Sequence, residues 1–297
     1  MSPKIKQTVS IGLLVLTAMI WGIAFVAQSV GSEHVGPFTF LASRSFIAGI
    51  ALLPVIAIRR KTAPDAAASS RSPKNLWMGG IACGIALAAA SAFQQSGIAY
   101  TTAGKAGFIT ALYIVIVPIL SIFLKKRAPL SVWLGVLIAA LGMYLLCINE
   151  SFSLSRGDLL VLICSCLYAV HILVIDHFSP RTDGVQMSCS QFFTCGTVAA
   201  IAMLIFEHPT KEAILGAWLP ILYAGLFSSA IGYTLQIVAQ KNVPPTLASL
   251  VMSLESVFSV LAGWLILHQS LSLKELIGCG LVFCAIILAQ LPSPKKH

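Results

Sequence analysis

Ten apolar runs, each about 20 residues long and so able as a helix to cross a bilayer's hydrocarbon core, fill nearly the whole chain. Read between polar punctuation they cover residues 8–30, 37–58, 75–98, 103–124, 129–148, 157–177, 184–206, 216–239, 245–267 and 273–291. At about 20 residues per span, ten spans leave about 100 residues for loops and tails, so no sizeable extramembrane domain fits. The predicted fold class is therefore an all-α integral membrane protein with ten transmembrane helices. Composition agrees: 58% of the 297 residues are hydrophobic and 10% charged, against about 25% charged in soluble domains. Hydrophobicity this high also excludes intrinsic disorder.

Pro37, Pro129 and Pro245 fall at expected helix starts, where a missing N–H costs nothing. Pro54 and Pro118 lie inside spans, where each frees a carbonyl and permits a bend. The first span follows Lys4 and Lys6 as a signal peptide would, but it is longer than a signal core and nine comparable segments follow it. It is expected to be a retained helix.

The net charge of +9 has a topological explanation. With a cytoplasmic N-terminus, fourteen of the 19 Lys and Arg lie in inside segments: Lys4, Lys6, Arg59, Arg60, Lys61, Arg71, Lys74, Lys125, Lys126, Arg127, Arg181, Lys241, Lys295 and Lys296. Arg156, Lys211 and Lys274 lie in outside loops, and Arg44 and Lys105 within or at the edge of spans. The positive-inside bias thus predicts a multi-pass inner (plasma) membrane protein with both termini cytoplasmic. No nucleic-acid partner is implied; the lipid bilayer is the partner. All eight cysteines lie in apolar stretches, where thiols act as small hydrophobes, so no disulfide framework is expected. Cys164 and Cys166, two apart with no second pair nearby, are poorly spaced for zinc, and neither metal nor cofactor is implied.

The two halves resemble each other. At an offset of 147, Trp21-Gly22 aligns with Tyr168-Ala169, and Phe46, Ala48 and Gly49 with Phe193, Cys195 and Gly196. At 142, Gln94 aligns with Gln236 and Tyr113 with Glu255. Residues 1–149 and 150–297 are then two five-helix repeats. Because five is odd, the second repeat enters the membrane from the opposite side. Such inverted repeats are a common carrier plan, with the substrate site at their interface and alternating access by rocking of the halves.

Trp21-Gly22-Ile23-Ala24-Phe25, Gly36-Pro37-Phe38-Thr39, Gln94-Gln95 and the run from Tyr100 to Thr110 resemble the EamA-type members of the drug/metabolite transporter superfamily. Tyr233-Thr234-Leu235-Gln236, Pro244-Pro245-Thr246 and Leu254-Glu255-Ser256-Val257-Phe258 resemble the same family. The resemblance covers essentially the whole chain. One departure is His268-Gln269-Ser270-Leu271-Ser272, where the family usually carries Gly-Glu before its last helix. The resemblance implies ten helices around a central cavity, and export or exchange of small organic solutes, often amino acids.

Polar groups within hydrocarbon are costly, so each is a candidate for function. Glu255 stands about ten residues, or about 15 Å, beyond Pro245, on a stripe of small and polar residues with Ala248, Met252, Ser259 and Ala262. It can receive an ammonium group, take up a proton and so couple transport to one, or bond structurally to a neighbouring helix. Lys105 opens the fourth span and either snorkels outward or binds a substrate carboxylate. Arg44, about 10 Å into the second span, suits a structural ion pair or carbonyl clamp rather than substrate contact, and Gln191 stands at its equivalent in the second half. His171 shares a stripe with Cys164, Leu167, Tyr168 and Ile175, as a proton relay, a substrate donor or a satisfied core histidine. Gln94, Gln95 and Gln236 suit polar recognition or helix gluing, and Trp21 and Tyr113 either wall a cavity or simply pack. Gly80 with Gly84, and Gly104 with Gly107, are small-residue signals for close helix approach.

There is no His-Glu-x-x-His, Gly-x-Ser-x-Gly or phosphate-binding loop, nor a nearby pair of intramembrane carboxylates, which argues against an enzyme or an ATP-driven pump. The expected function is a secondary transporter, an exporter or exchanger of small organic metabolites such as amino acids, working by alternating access. The alternative is a non-transporting membrane component such as a lipid-handling or accessory subunit. Oligomeric state is left open.

Overall fold

A backbone in hydrocarbon must pair its own polar groups, which a chain this apolar does by winding into helices. The computed structural model describes residues 3–62, 73–101, 103–126, 128–147, 155–267 and 272–290. It is all-helical, with no strand among the described residues. The helices are α1 (Pro3–Ser32), α2 (Pro37–Thr62), α3 (Pro73–Ile98), α4 (Ala103–Ala111), α5 (Tyr113–Phe123), α6 (Leu130–Cys147), α7 (Arg156–Phe178) and α8 (Gly184–Phe206). Then follow α9 (Lys211–Gly216), α10 (Trp218–Tyr223), a π-wound segment (Ala224–Tyr233), α11 (Thr234–Ala239), α12 (Pro245–Met252), α13 (Leu254–Leu267) and α14 (Leu273–Gln290).

Among the described residues, eight stretches are long and apolar enough to cross a membrane: Lys4–Ser32, Pro37–Thr62, Pro73–Ile98, Ala103–Phe123, Arg156–Arg181, Gly184–Phe206, Trp218–Ala239 and Pro245–Ile266. Two shorter apolar helices, Leu130–Leu145 and Leu276–Ala289, occupy the fifth and tenth expected runs. Arg71, Arg127, Lys295, Lys296, the 149/150 boundary and the loop residues 268–271 lie outside the described residues, as does the Cys147 side chain. The other seven cysteines are free thiols.

Local chemistry explains most helix starts. Pro37 and Pro245 occupy first helical positions. Ser155 caps α7 through a reciprocal box, its hydroxyl accepting from the Asp158 N–H at 3.1 Å and its own N–H donating to Asp158 Oδ2 at 2.7 Å. Asp183 caps α8 by accepting from the N–H groups of Val185 and Gln186.

Pro54 and Pro118 do not break their helices: α2 and α5 run through both. The interruptions fall instead at Leu112 and Ser253, midway through the fourth and ninth runs. Around Ser253, the hydroxyls of Ser249, Ser253, Ser256 and Ser259 each donate to the carbonyl three residues earlier, competing with the helical ladder. Nothing local to Leu112 explains the break there.

The α12–α13 stretch is 67% buried and α8 33%, so the former runs through the middle and the latter faces outward. α1 packs on α13, α3 lies against α7 and α8, α2 against α8, and α6 and α14 pack chiefly on one another. The α3–α8 contact needs glycine: a Cβ at Gly80 would meet Ser190 Oγ at 2.3 Å, and one at Gly84 the Gln191 carbonyl at 2.7 Å. Large apolar side chains such as Phe123, Leu204, Leu265 and Ile287 point outward, as a lipid-facing surface requires.

Candidate functional site

A small cavity lies where seven of the runs meet, lined by both polar and apolar side chains. Trp21, Ala24, Phe25 and Gln28 enter from α1, Arg44 from α2, Gln94 from α3, Thr110 and Tyr113 from either side of the Leu112 break. Tyr168 comes from α7, Ser228 and Tyr233 from the π-wound segment, and Glu255 from the first turn after the Ser253 break. Its free volume is about 30 Å³, enough for a water molecule but not for an organic solute.

The wall is held by unusual backbone. In π winding the hydrogen bonds skip one residue further, a geometry found mostly at functional sites. Here its carbonyls face inward. Trp21 Nε1 donates to the Ser228 carbonyl at 3.1 Å, Thr17 Oγ1 to the Gly232 carbonyl at 3.3 Å, and the Trp21 and Tyr233 ring centroids lie 4.6 Å apart. α1 is thereby fastened along the π segment by two bonds and a ring contact.

A second set of bonds fixes the polar floor. Tyr233 Oη donates to Tyr168 Oη at 3.1 Å, which donates to Gln94 Oε1 at 3.2 Å, and Gln94 Nε2 donates to Thr110 Oγ1 at 3.2 Å. Ser91 Oγ lies 3.0 Å from the same Tyr168 hydroxyl. Such a chain rigidifies the side chains it joins.

The remaining lining groups are not satisfied this way. Glu255 is 3% exposed, and its Oε1 has no hydrogen-bond partner. The Tyr113 hydroxyl faces the Glu255 carboxyl and interacts with it without a hydrogen bond of good geometry, and Gln28 Oε1 is also buried without a partner. Arg44 is 3% exposed, and no described residue forms an ion pair or hydrogen bond with its guanidinium. The structural ion pair or clamp expected for Arg44 is therefore absent among the described residues; its helix carries it to the cavity instead.

Of the other sequence candidates, Trp21, Gln94 and Tyr113 line the cavity, while His171, Gln236 and Lys105 do not. His171 sits behind the Tyr168 and Tyr233 rings, its Nε2 2.9 Å from Oε1 of Gln191. Gln236 is buried on α11, Gln191 on α8. Gln95 donates to the Gln28 carbonyl at 3.0 Å, a helix-gluing bond between α3 and α1. Lys105 neither snorkels free nor reaches the cavity: its Nζ lies 2.6 Å from Oδ2 of the fully buried Asp158, which also accepts from Thr101 at 2.8 Å. Sequence reasoning did not pick Tyr168, Tyr233, Gln28, Thr110 or Ser228 as site residues. The signal for the two tyrosines was their position in motifs already quoted.

The other charges tie the ends of the bundle. Glu207, at the end of α8, accepts from the N–H groups of Phe38 and Thr39 at 2.9 and 2.8 Å, capping α2. At the opposite end, Arg59 of α2 pairs with Asp183 at 3.1 Å, and Lys126 pairs with Asp176. Lys241 Nζ donates to the Thr182 carbonyl at 2.7 Å, and partial burial holds its ammonium below the ordinary lysine value, with Asp183 opposing. A recess of about 610 Å³ at this end is bordered by Lys126, Asp176, Gln240 and Pro245.

Apolar helices enclosing a buried polar pocket are the build of a multi-pass membrane protein, and the family and relatives this chain matches are transporters, not enzymes. The chain belongs to the EamA-like transporter family, whose model matches residues 8–148 and again 155–291. An uncharacterized transporter of Archaeoglobus fulgidus is 29% identical over 94% of this chain and 84% of its own. The uncharacterized inner membrane transporter YedA of Escherichia coli K12 is 26% identical, over 94% and 90%. A solved crystal structure shares the fold with a TM-score of 0.75 at 19% identity, over 95% of this chain and 96% of its own.

Proposed function

We propose that this chain is a secondary carrier of small organic metabolites such as amino acids, an exporter or exchanger that works by alternating access around the central cavity. The observation that carries the reading is the unsatisfied Glu255 and Arg44 facing one pocket in the middle of an apolar bundle. A non-transporting subunit with a closed apolar interior has no use for such groups.

The carrier is built from two inverted five-helix repeats, residues 1–149 and 150–297, giving ten spans when the two shorter apolar helices are included. Paired contacts support this. A Cβ at Gly49 would meet the Phe193 ring at 3.2 Å, and one at Gly196 the Phe46 ring at 3.1 Å, each residue 147 positions from its counterpart. Tyr113 and Glu255, 142 positions apart, face each other. The breaks at Leu112 and Ser253 come just before these two residues. Packing of α1 on α13 is matched by α7 on α4 and α5, and packing of α2 on the π segment by α8 on α3. Broken helices at the interface of two such halves are where carriers of this plan hold their solute.

The inner membrane is the site of action, in line with the relative YedA, an inner membrane transporter. Both termini are cytoplasmic, which the distribution of Lys and Arg supports. A proton is the candidate coupling ion, with Glu255 its carrier.

Purified full-length protein in proteoliposomes, assayed for flux of labelled amino acids and related metabolites with and without an imposed pH gradient, tests the reading. Saturable flux of at least one solute is expected. A folded, inserted protein that moves none of them overturns it.

A further inference from the structure

Among the described residues three acid–base pairs are closed. Asp158 holds Lys105, Asp183 holds Arg59, and Asp176 holds Lys126. Arg44 and Glu255 are the pair left open. Each is 3% exposed, they come from α2 and α13, and they line the same cavity without approaching within the 4.0 Å of an ion pair. Beside them, Glu255 Oε1, the Tyr113 hydroxyl and Gln28 Oε1 are buried without a hydrogen bond of good geometry.

A guanidinium and a carboxyl group taken out of water and held apart are an expensive arrangement, since neither bulk solvent nor an ion-pair partner compensates them. A bound molecule that brings the complementary charges compensates both at once. Arginine's planar fork matches a carboxylate bidentately, and a carboxylate receives an ammonium. Trp21, Phe25 and Tyr233 leave an apolar, aromatic wall beside the two charges, which suits an uncharged side chain.

We propose that the central cavity is a zwitterion site, in which Arg44 takes the carboxylate and Glu255 the ammonium group of a small amino acid with an apolar or aromatic side chain. This rests on the carrier reading above and adds to it two residues and a requirement for both charges of the solute. The present 30 Å³ is too small for such a solute, so the walls separate as it enters. Lys105 takes no part, being held by Asp158.

The test uses the full-length protein in proteoliposomes, with L-leucine and L-phenylalanine as labelled probes. The competitors are their methyl esters, which lack the anion, and their N-acetyl derivatives, which lack the cation. For the wild type, either derivative should compete about 10- to 100-fold less well than the parent, the loss expected when a charged hydrogen bond goes unmade. Arg44→Gln should erase the preference for the acid over its ester, and Glu255→Gln the preference for the free amine over its N-acetyl form. Thermal unfolding of each variant in detergent shows whether it has folded. Where one variant does not fold, the wild-type competition series alone decides. Derivatives that compete as well as the parents overturn the zwitterion site and leave the carrier standing, as does flux confined to solutes lacking one of the two charges. Wild-type protein that moves no metabolite at all overturns the carrier reading, and this one with it.

Discussion

In the proposed repeat, positions 24 and 44 in the first half of the chain correspond, 147 residues on, to positions 171 and 191 in the second. In the second half these are His171 and Gln191, fully buried and joined at 2.9 Å. In the first half they are Ala24 and Arg44, both lining the central cavity, and the methyl group of Ala24 offers the guanidinium nothing to bond. Similar backbone thus carries a polar pair that closes on itself and a charge that does not. A buried polar residue is an unspecific signal, because the membrane interior punishes every one of them. What separates a packing device from a binding device is whether the neighbouring position supplies the partner.

The largest expected effect comes from removing the open charges. Arg44→Gln and Glu255→Gln should each lower flux by about 100-fold while leaving the thermal unfolding free energy unchanged or raised, since an uncompensated buried charge is removed. Loss of stability without loss of flux in the folded fraction would make both residues structural. The same comparison can be broken directly by copying the second half into the first. Ala24→His with Arg44→Gln should build a self-closing pair, holding stability within about 1 kcal/mol of the wild type and abolishing transport. Flux retained by that double variant would remove Arg44 from solute binding.

Smaller effects are expected where the polar groups already satisfy one another. Gln191→Leu leaves the His171 ring without its partner and should cost about 1–3 kcal/mol of stability, with an unchanged KM in the protein that folds. A raised KM alone would bring His171 into the site after all. Lys105→Met strips the ammonium from Asp158 but leaves the carboxylate its bonds from Thr101 and the Ser155 N–H. A loss of about 1–3 kcal/mol is expected from chemical or thermal unfolding, again without a change in solute preference.

These differences mark how far sequence reaches. The apolar runs were legible because hydrocarbon admits only self-bonded helices, and Pro37 and Pro245 start theirs as read. The breaks at Leu112 and Ser253 were not legible, and neither was the π winding of Ala224–Tyr233, whose inward carbonyls are met by Thr17 and Trp21 more than 200 residues away. At the site, Glu255, Trp21, Gln94 and Tyr113 stand out as polar groups in apolar runs, and the fold brings all four to one cavity. Depth along a helix could not tell Arg44 from Lys105. The distinction lies in Asp158, which reaches Lys105 across 53 residues of chain, and in the missing counterpart for Arg44. Tyr168 and Tyr233 were not singled out, because an aromatic ring gives no hint of where its hydroxyl points.

The smallest effect should come from the end of the bundle, where Glu207 caps α2. Its carboxylate accepts from two backbone N–H groups and from Thr39 Oγ1 at 2.6 Å, at the positive end of a 26-residue helix. Glu207→Gln keeps an acceptor in place and removes only the charge, so the loss should stay at about 0.3–1 kcal/mol. Gly36 makes this a demanding comparison, because a Cβ there would meet the Glu207 carboxyl at 2.3 Å. Gly36→Ala therefore displaces the carboxylate as a whole and should cost more than Glu207→Gln, by unfolding measured side by side. The reverse order would mean that charge rather than placement holds this end. Because neither change touches the cavity, solute preference should survive both, which separates a contact that fastens the bundle from the pair that is left open at its centre.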